Sequence, residues 1–137
     1  MDDLLRWLRA QLDEDERIAR AATLGPWVQS GIGDYGWTVD FGRPGSGVET
    51  ADTEQGLADA DFIAAHDPAR VLREIDAKRW IIDECAHWYG KLAKEAVAPS
   101  PAPFPALGEV LDAVTPILRA LALPYADRPG YREEWRP

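Results

Sequence analysis

Asp67-Pro68-Ala69-Arg70-Val71-Leu72-Arg73-Glu74-Ile75-Asp76-Ala77-Lys78-Arg79-Trp80-Ile81-Ile82-Asp83-Glu84-Cys85-Ala86-His87-Trp88-Tyr89 is the stretch that decides the fold. Asp at a helix cap and Pro in the first turn mark a strong helix start. Val71, Ile75, Ile82, Cys85, Tyr89 and Leu92 then recur in steps of three and four, an apolar stripe that carries the helix to about Ala96. Lys78 interrupts the stripe and either snorkels or marks where the cover thins. Trp80, Ile81 and Trp88 lie off its centre. The helix is therefore apolar on more than one side and is expected to touch two layers or a second subunit.

The rest of the chain is read outward from this helix. Residues 2 to 22 form an amphipathic helix, with Leu4, Leu5, Leu8, Leu12, Ala19 and Ala22 on one face and Asp13 to Glu16 turned mostly outward. Gly25-Pro26 ends it. Trp27 to Ser30 reads as a strand and Gly31 to Gly36 as a turn. Trp37 to Phe41 alternates cleanly, with Trp37, Val39 and Phe41 on one face. Gly42 to Gly47 is a second turn, and Val48 to Ala51 a third short strand. Such a meander is marginal alone and needs a helix to pack on. Asp52 to Leu57 reads as a connector and Ala58 to Ala65 as a short helix. Val97 to Pro105, with Pro at 99, 101, 103 and 105, reads as a semi-rigid linker. Leu107 to Leu123 returns to helix, kinked or restarted at Thr115-Pro116. The expected class is α+β and helix-dominated: an N-terminal helix, a two- to three-stranded antiparallel meander, one long central helix, a C-terminal helix and a docked tail. At 137 residues this is one domain, 1–137.

The tail, Leu121 to Pro137, holds two Tyr, one Trp, three Pro and three Arg. Aromatics gain from burial, and Pro lowers the entropy lost on fixing a segment. Tyr125, Arg128, Tyr131, Arg132 and Trp135 are the residues expected to dock it. Arg128, Arg132 and Arg136 recur every four residues, which favours pairing with the acidic first helix over docking on a partner.

Composition excludes several classes. The net charge of −9 disfavours phosphate backbones and anionic membranes. A single cysteine, Cys85, rules out an internal disulfide and any multi-cysteine zinc site. Met1-Asp2-Asp3 lacks the basic start of a signal peptide, and no apolar run reaches a membrane-spanning length. A cytoplasmic protein is expected.

Candidate chemistry is thin. Glu84 and His87 stand three apart on the long helix, as in carboxylate-bridged metal sites, but the further ligands such a site needs are missing. His66 pairs on paper with Asp59 or Asp61 as a general acid/base. Cys85 and His87 point apart, two residues along one helix. No phosphate-binding glycine loop is present; Gly31, Gly33 and Gly36 are turn glycines. Neither a cofactor nor a metal site is expected.

Two stretches carry a resemblance. One is Ala21-Ala22-Thr23-Leu24-Gly25-Pro26-Trp27 with Ala58-Asp59-Ala60-Asp61-Phe62-Ile63-Ala64-Ala65-His66-Asp67-Pro68-Ala69-Arg70-Val71-Leu72. It resembles a segment of small Ead-like phage and prophage proteins. The other is the tail. Together they resemble an uncharacterised actinobacterial family, a domain of unknown function that implies no activity. Many members resemble one another in extra Cys and His before the tail, implying a metal-binding insert. This chain has Pro-rich sequence and a helix there, so no zinc site carries over.

The leading reading is a non-catalytic protein-interaction module, encoded by a phage or mobile element, using an aromatic surface of Trp27, Tyr35, Trp37, Trp80 and Trp88. The partner is an unidentified protein, with a homo-oligomer as a further expectation. The alternatives are a small-molecule-binding or sequestering protein with an aromatic pocket, and an enzyme using His66 or His87.

Overall fold

The computed structural model describes residues 1–97 and 107–137. In chain order they form helix α1 (Asp2–Ala21), strands β1 (Val28–Ile32), β2 (Trp37–Asp40) and β3 (Gly47–Glu49), helix α2 (Glu54–Ala65), helix α3 (Pro68–Val97) and helix α4 (Leu107–Ala122). Two 3-10 turns follow, Leu123–Tyr125 and Glu133–Trp135. The architecture is helix-dominated α+β. The Pro-rich linker read at 97–105 lies outside the described residues, except Val97, which ends α3. Residues group into two compact units: Met1–Asp13 with Asp76–Pro137, and Glu14–Ile75.

In the first unit, α1 buries Leu4, Leu5, Leu8 and Leu12, while α3 buries Ile82, Cys85 and Leu92. Arg9 pairs with Asp83 at 2.9 Å and Arg79 with Asp13 at 2.7 Å, which sets this part of α1 antiparallel to α3. Both pairs are solvent-accessible, so they fix register more than they stabilise. From α4, Val114, Leu118 and Ala122 are buried. Pro116 sits inside α4 on its exposed side without ending it.

The tail closes on a residue that no periodicity singles out, Trp7. Its Nε1 donates to the Pro129 carbonyl at 3.1 Å. Its ring meets Tyr125, Tyr131 and Trp135 at centroid distances of 6.4, 5.7 and 5.3 Å. Tyr125 and Trp135 are buried. Lys78 is half-buried with its Nζ 5.6 Å from the Tyr125 ring centre, so the break in the apolar stripe is filled by a cation–π contact. The Arg128 guanidinium lies over the same ring at 4.7 Å. Arg132 reaches Asp3 of α1 at 3.2 Å. Arg136 departs from the expected match to α1: it forms a two-bond pair with Glu133 inside the tail. Gly130 has φ +85°, and a Cβ there would come within 2.9 Å of Trp7 Nε1. Only glycine allows that approach.

In the second unit, the sheet order is β1-β2-β3, antiparallel throughout. A bulge between Gln29 and Gly31 lets β1 continue to Ile32, into the stretch read as turn. Val39 is fully buried, with α2 covering the sheet at β2 and β1. Helix α2 begins at Glu54, four residues before the sequence reading places it. Thr53 Oγ1 accepts from Gly56 N at 2.9 Å and caps the helix. Gly56 is required there, since a Cβ would strike the Ala51 carbonyl.

Deleting residues 124–137 should lower the melting temperature sharply, because the Trp7 pocket loses its cover. Gly130→Ala alone should cost ~1–3 kcal/mol, from backbone strain and the indole contact. Thermal unfolding followed by circular dichroism checks both, and an unchanged transition in either variant contradicts the docked tail.

Candidate functional site

The segments around Trp27 and His66 converge in the second unit. Asp67 explains why. Its Oδ1 accepts from Arg70 N at 2.9 Å and caps α3, and its Oδ2 accepts from Trp27 N at 3.2 Å. One carboxylate thus starts a helix and holds the chain that leads into β1. Ala69 N also donates to the Leu24 carbonyl at 3.2 Å. Gly25, at φ +99° before a cis bond to Pro26, is packed so closely that a Cβ would lie 2.9 Å from Asp67 Oδ2. The Trp27 indole donates to the Thr23 carbonyl at 2.7 Å and stacks on Phe41 at 4.1 Å.

His66 closes α2 and stacks on Phe62 at 4.2 Å. Its Nδ1 lies 2.7 Å from the Phe62 carbonyl. A carbonyl only accepts, so this contact puts a proton on Nδ1, and the neutral ring keeps a lone pair on Nε2. His66, Trp27, Pro68, Val71, Ile18 and Ala22 line one side-open cleft of about 340 Å³, together with Asp15 and Ala19. The cleft is mostly apolar, with an aromatic ring and an imidazole at its edge.

The carboxylates proposed as partners for His66 are engaged elsewhere: Asp59 accepts from Gln55 and Asp61 from Gln29. In the first unit, Glu84 accepts from the Trp88 indole at 2.8 Å. Among the described residues no group of three or more His, Cys, Asp or Glu is arranged to hold a metal ion. Cys85 is buried, and desolvation followed by the nearby Glu84 charge pushes its thiol above the usual range. That is the opposite of what a nucleophilic thiolate needs.

The five aromatics read as a surface fall into both units. Trp27 and Trp37 serve their own unit's packing, Trp37 donating to the Thr53 carbonyl at 3.1 Å. Tyr35 is 87% exposed at the tip between β1 and β2. Trp80 and Trp88 lie on α3, 70% and 40% exposed. Trp7, which sequence reasoning missed, meets the tail residues Tyr125, Tyr131 and Trp135, while Arg128 lies over Tyr125 and Arg132 over Trp135. Its signal was a tryptophan beside the Leu4–Leu8 stripe on the helix already matched to the tail.

The family of unknown function DUF6221 matches residues 1–137, and the chain belongs to it. No curated protein and no solved structure matches the chain. No helix among the described residues is long and apolar enough to cross a membrane.

Asp67→Ala should destabilise by ~1–2 kcal/mol through loss of the cap, with Asp67→Asn closer to wild type; chemical denaturation measures both. For Cys85, folding favours the protonated thiol. Its contribution is intact below the usual thiol range and is lost as pH rises through the raised value. Relative to Cys85→Ala, the wild-type chain should therefore lose stability above about pH 8.5, as read from paired denaturation curves. A constant difference across that window contradicts the buried thiol.

Proposed function

We propose that this protein is a non-catalytic protein-interaction module whose contact surface is the outward face of α3 within the first unit. The observation that carries this reading is Trp80, 70% exposed at mid-helix with no hydrogen-bond or ring partner among the described residues. A tryptophan presents roughly 250 Å² of surface, and leaving most of it in water forgoes about 2 kcal/mol or more. Trp88 widens the same side of the helix, with its ring under Lys91 Nζ at 5.3 Å. Exposed aromatics of this kind anchor interfaces. The resemblance to Ead-like phage proteins extends the reading to the product of a phage or mobile element.

A second reading rests on the His66–Trp27 cleft, whose apolar walls and free imidazole nitrogen suit a small aromatic ligand. Saturable thermal stabilisation by such a ligand, lost in Trp27→Ala, supports it.

The interaction reading is tested with Trp80→Ala and Trp88→Ala. Both should melt within a few degrees of wild type, while recovery of a specific bound protein in affinity capture drops at least tenfold. Unfolding of Trp80→Ala would make that residue core, and undiminished recovery would place the contact surface elsewhere.

A further inference from the structure

The outward face of α3 is patterned as well as exposed. Ala77, Trp80, Glu84, His87, Lys91 and Lys94 follow spacings of 3, 4, 3, 4 and 3. Residues at these steps share one side of a helix. Trp80, Glu84, His87, Lys91 and Lys94 are all exposed, as is Ala77. The opposite side of the helix carries the buried Ile82, Cys85 and Leu92. The strip opposite them is solvent-facing and carries one large exposed aromatic, Trp80, in line with charged side chains.

Its charges say what partner fits. The N-terminal half of the face is acidic, with Asp76 and Glu84; the neighbouring Asp83 is paired with Arg9 of α1. The C-terminal half is basic, with His87, Lys91 and Lys94. A copy laid antiparallel about a two-fold axis between Glu84 and His87 matches these halves. Glu84 of each chain then faces His87 of the other, Trp80 faces Lys91, and Ala77 faces Lys94. A lysine over an indole is an attractive pair. Lys91 already makes that contact with Trp88 of its own helix at 5.3 Å. The small Ala77 leaves room for the long Lys94 stem. A parallel copy instead sets Glu84 against Glu84 and Lys91 against Lys91, which repel.

We infer that the occupant of this face is a second copy of this chain, paired through antiparallel α3 helices. This rests on the interaction reading above and makes it specific. The strip from Asp76 to Lys94 is roughly 28 Å long at about 1.5 Å per residue. That is a small contact by the standard of stable dimers, and each chain carries a net charge of −9 that opposes association. The dimer is therefore a concentration-dependent equilibrium.

The test is sedimentation equilibrium on the full chain over a range of concentrations, with circular dichroism on every variant. The wild type should pass from monomer to dimer, and Trp80→Ala should weaken association ~30-fold while staying folded. Glu84→Lys alone and His87→Glu alone should each dissociate the dimer: the first removes the carboxylate that faces His87 and sets a lysine beside the basic half of the other chain, and the second sets two carboxylates against each other in both symmetric contacts. Mixed in equal amounts, the two variants should form a heterodimer. The introduced lysine of one chain then faces the introduced glutamate of the other, while the unchanged His87 and Glu84 pair across the second contact. A wild-type chain that stays monomeric to about 1 mM overturns the inference but leaves the interaction reading to a different partner. A Trp80→Ala chain that remains fully dimeric, or a mixture no tighter than either variant alone, overturns the antiparallel pairing. Loss of the folded spectrum in Trp80→Ala overturns the interaction reading itself.

Discussion

The contact between the Trp7 indole and the Pro129-Gly130 turn is the constraint on which the first unit depends. One hydrogen bond, from Nε1 to the Pro129 carbonyl, fixes where the tail crosses α1. The positive φ of Gly130 lets the backbone lie against the ring. Once the turn is seated, Tyr131 and Trp135 fall on the same indole. On the other side of the turn, the Tyr125 ring meets the cations of both Lys78 and Arg128. The ion pairs at the rim are exposed and contribute little alone. The energy lies in the rings.

Helix α3 presents different residues to the tail and to solvent. Toward the core it offers Lys78 to the tail and Ile82, Cys85 and Leu92 to its own unit. Toward solvent it offers Trp80 and Trp88. The tail's rings satisfy the Trp7 side of the unit, while Trp80 stays exposed among the described residues. The apolar excess noted on this helix thus divides between an internal contact and an external face.

Much of the fold was legible because it is written in periodicity. The stripe through Ile75, Ile82, Cys85 and Leu92 and the Asp67-Pro68 start locate α3, and Leu4 to Leu12 locate α1. What escaped has no period. Thr53 starts α2 through one side-chain bond, and a connector and a capped first turn look alike in composition. The bulge at Gln29 and Gly31 extends β1 through residues whose type signals a turn. Trp7 was unread because its partners lie far away along the chain, as in its bond to Pro129 across 122 positions. The double use of Asp67, as a helix cap and as an anchor for Trp27, was half visible: the cap is local, the anchor is not. For the candidate surface, residue type named Trp80 and Trp88, but only three-dimensional burial separates them from Trp27 and Trp37.

The central claim is that the tail folds back on its own chain. Native-state hydrogen exchange on the dilute, isolated protein measures it directly. Amides that donate within the tail, such as Arg128, Tyr131 and Trp135, should exchange far more slowly than in an unfolded chain. Replacing Trp7 by Ala should release that protection. Tail amides exchanging at the unfolded rate in the wild-type chain would contradict the account.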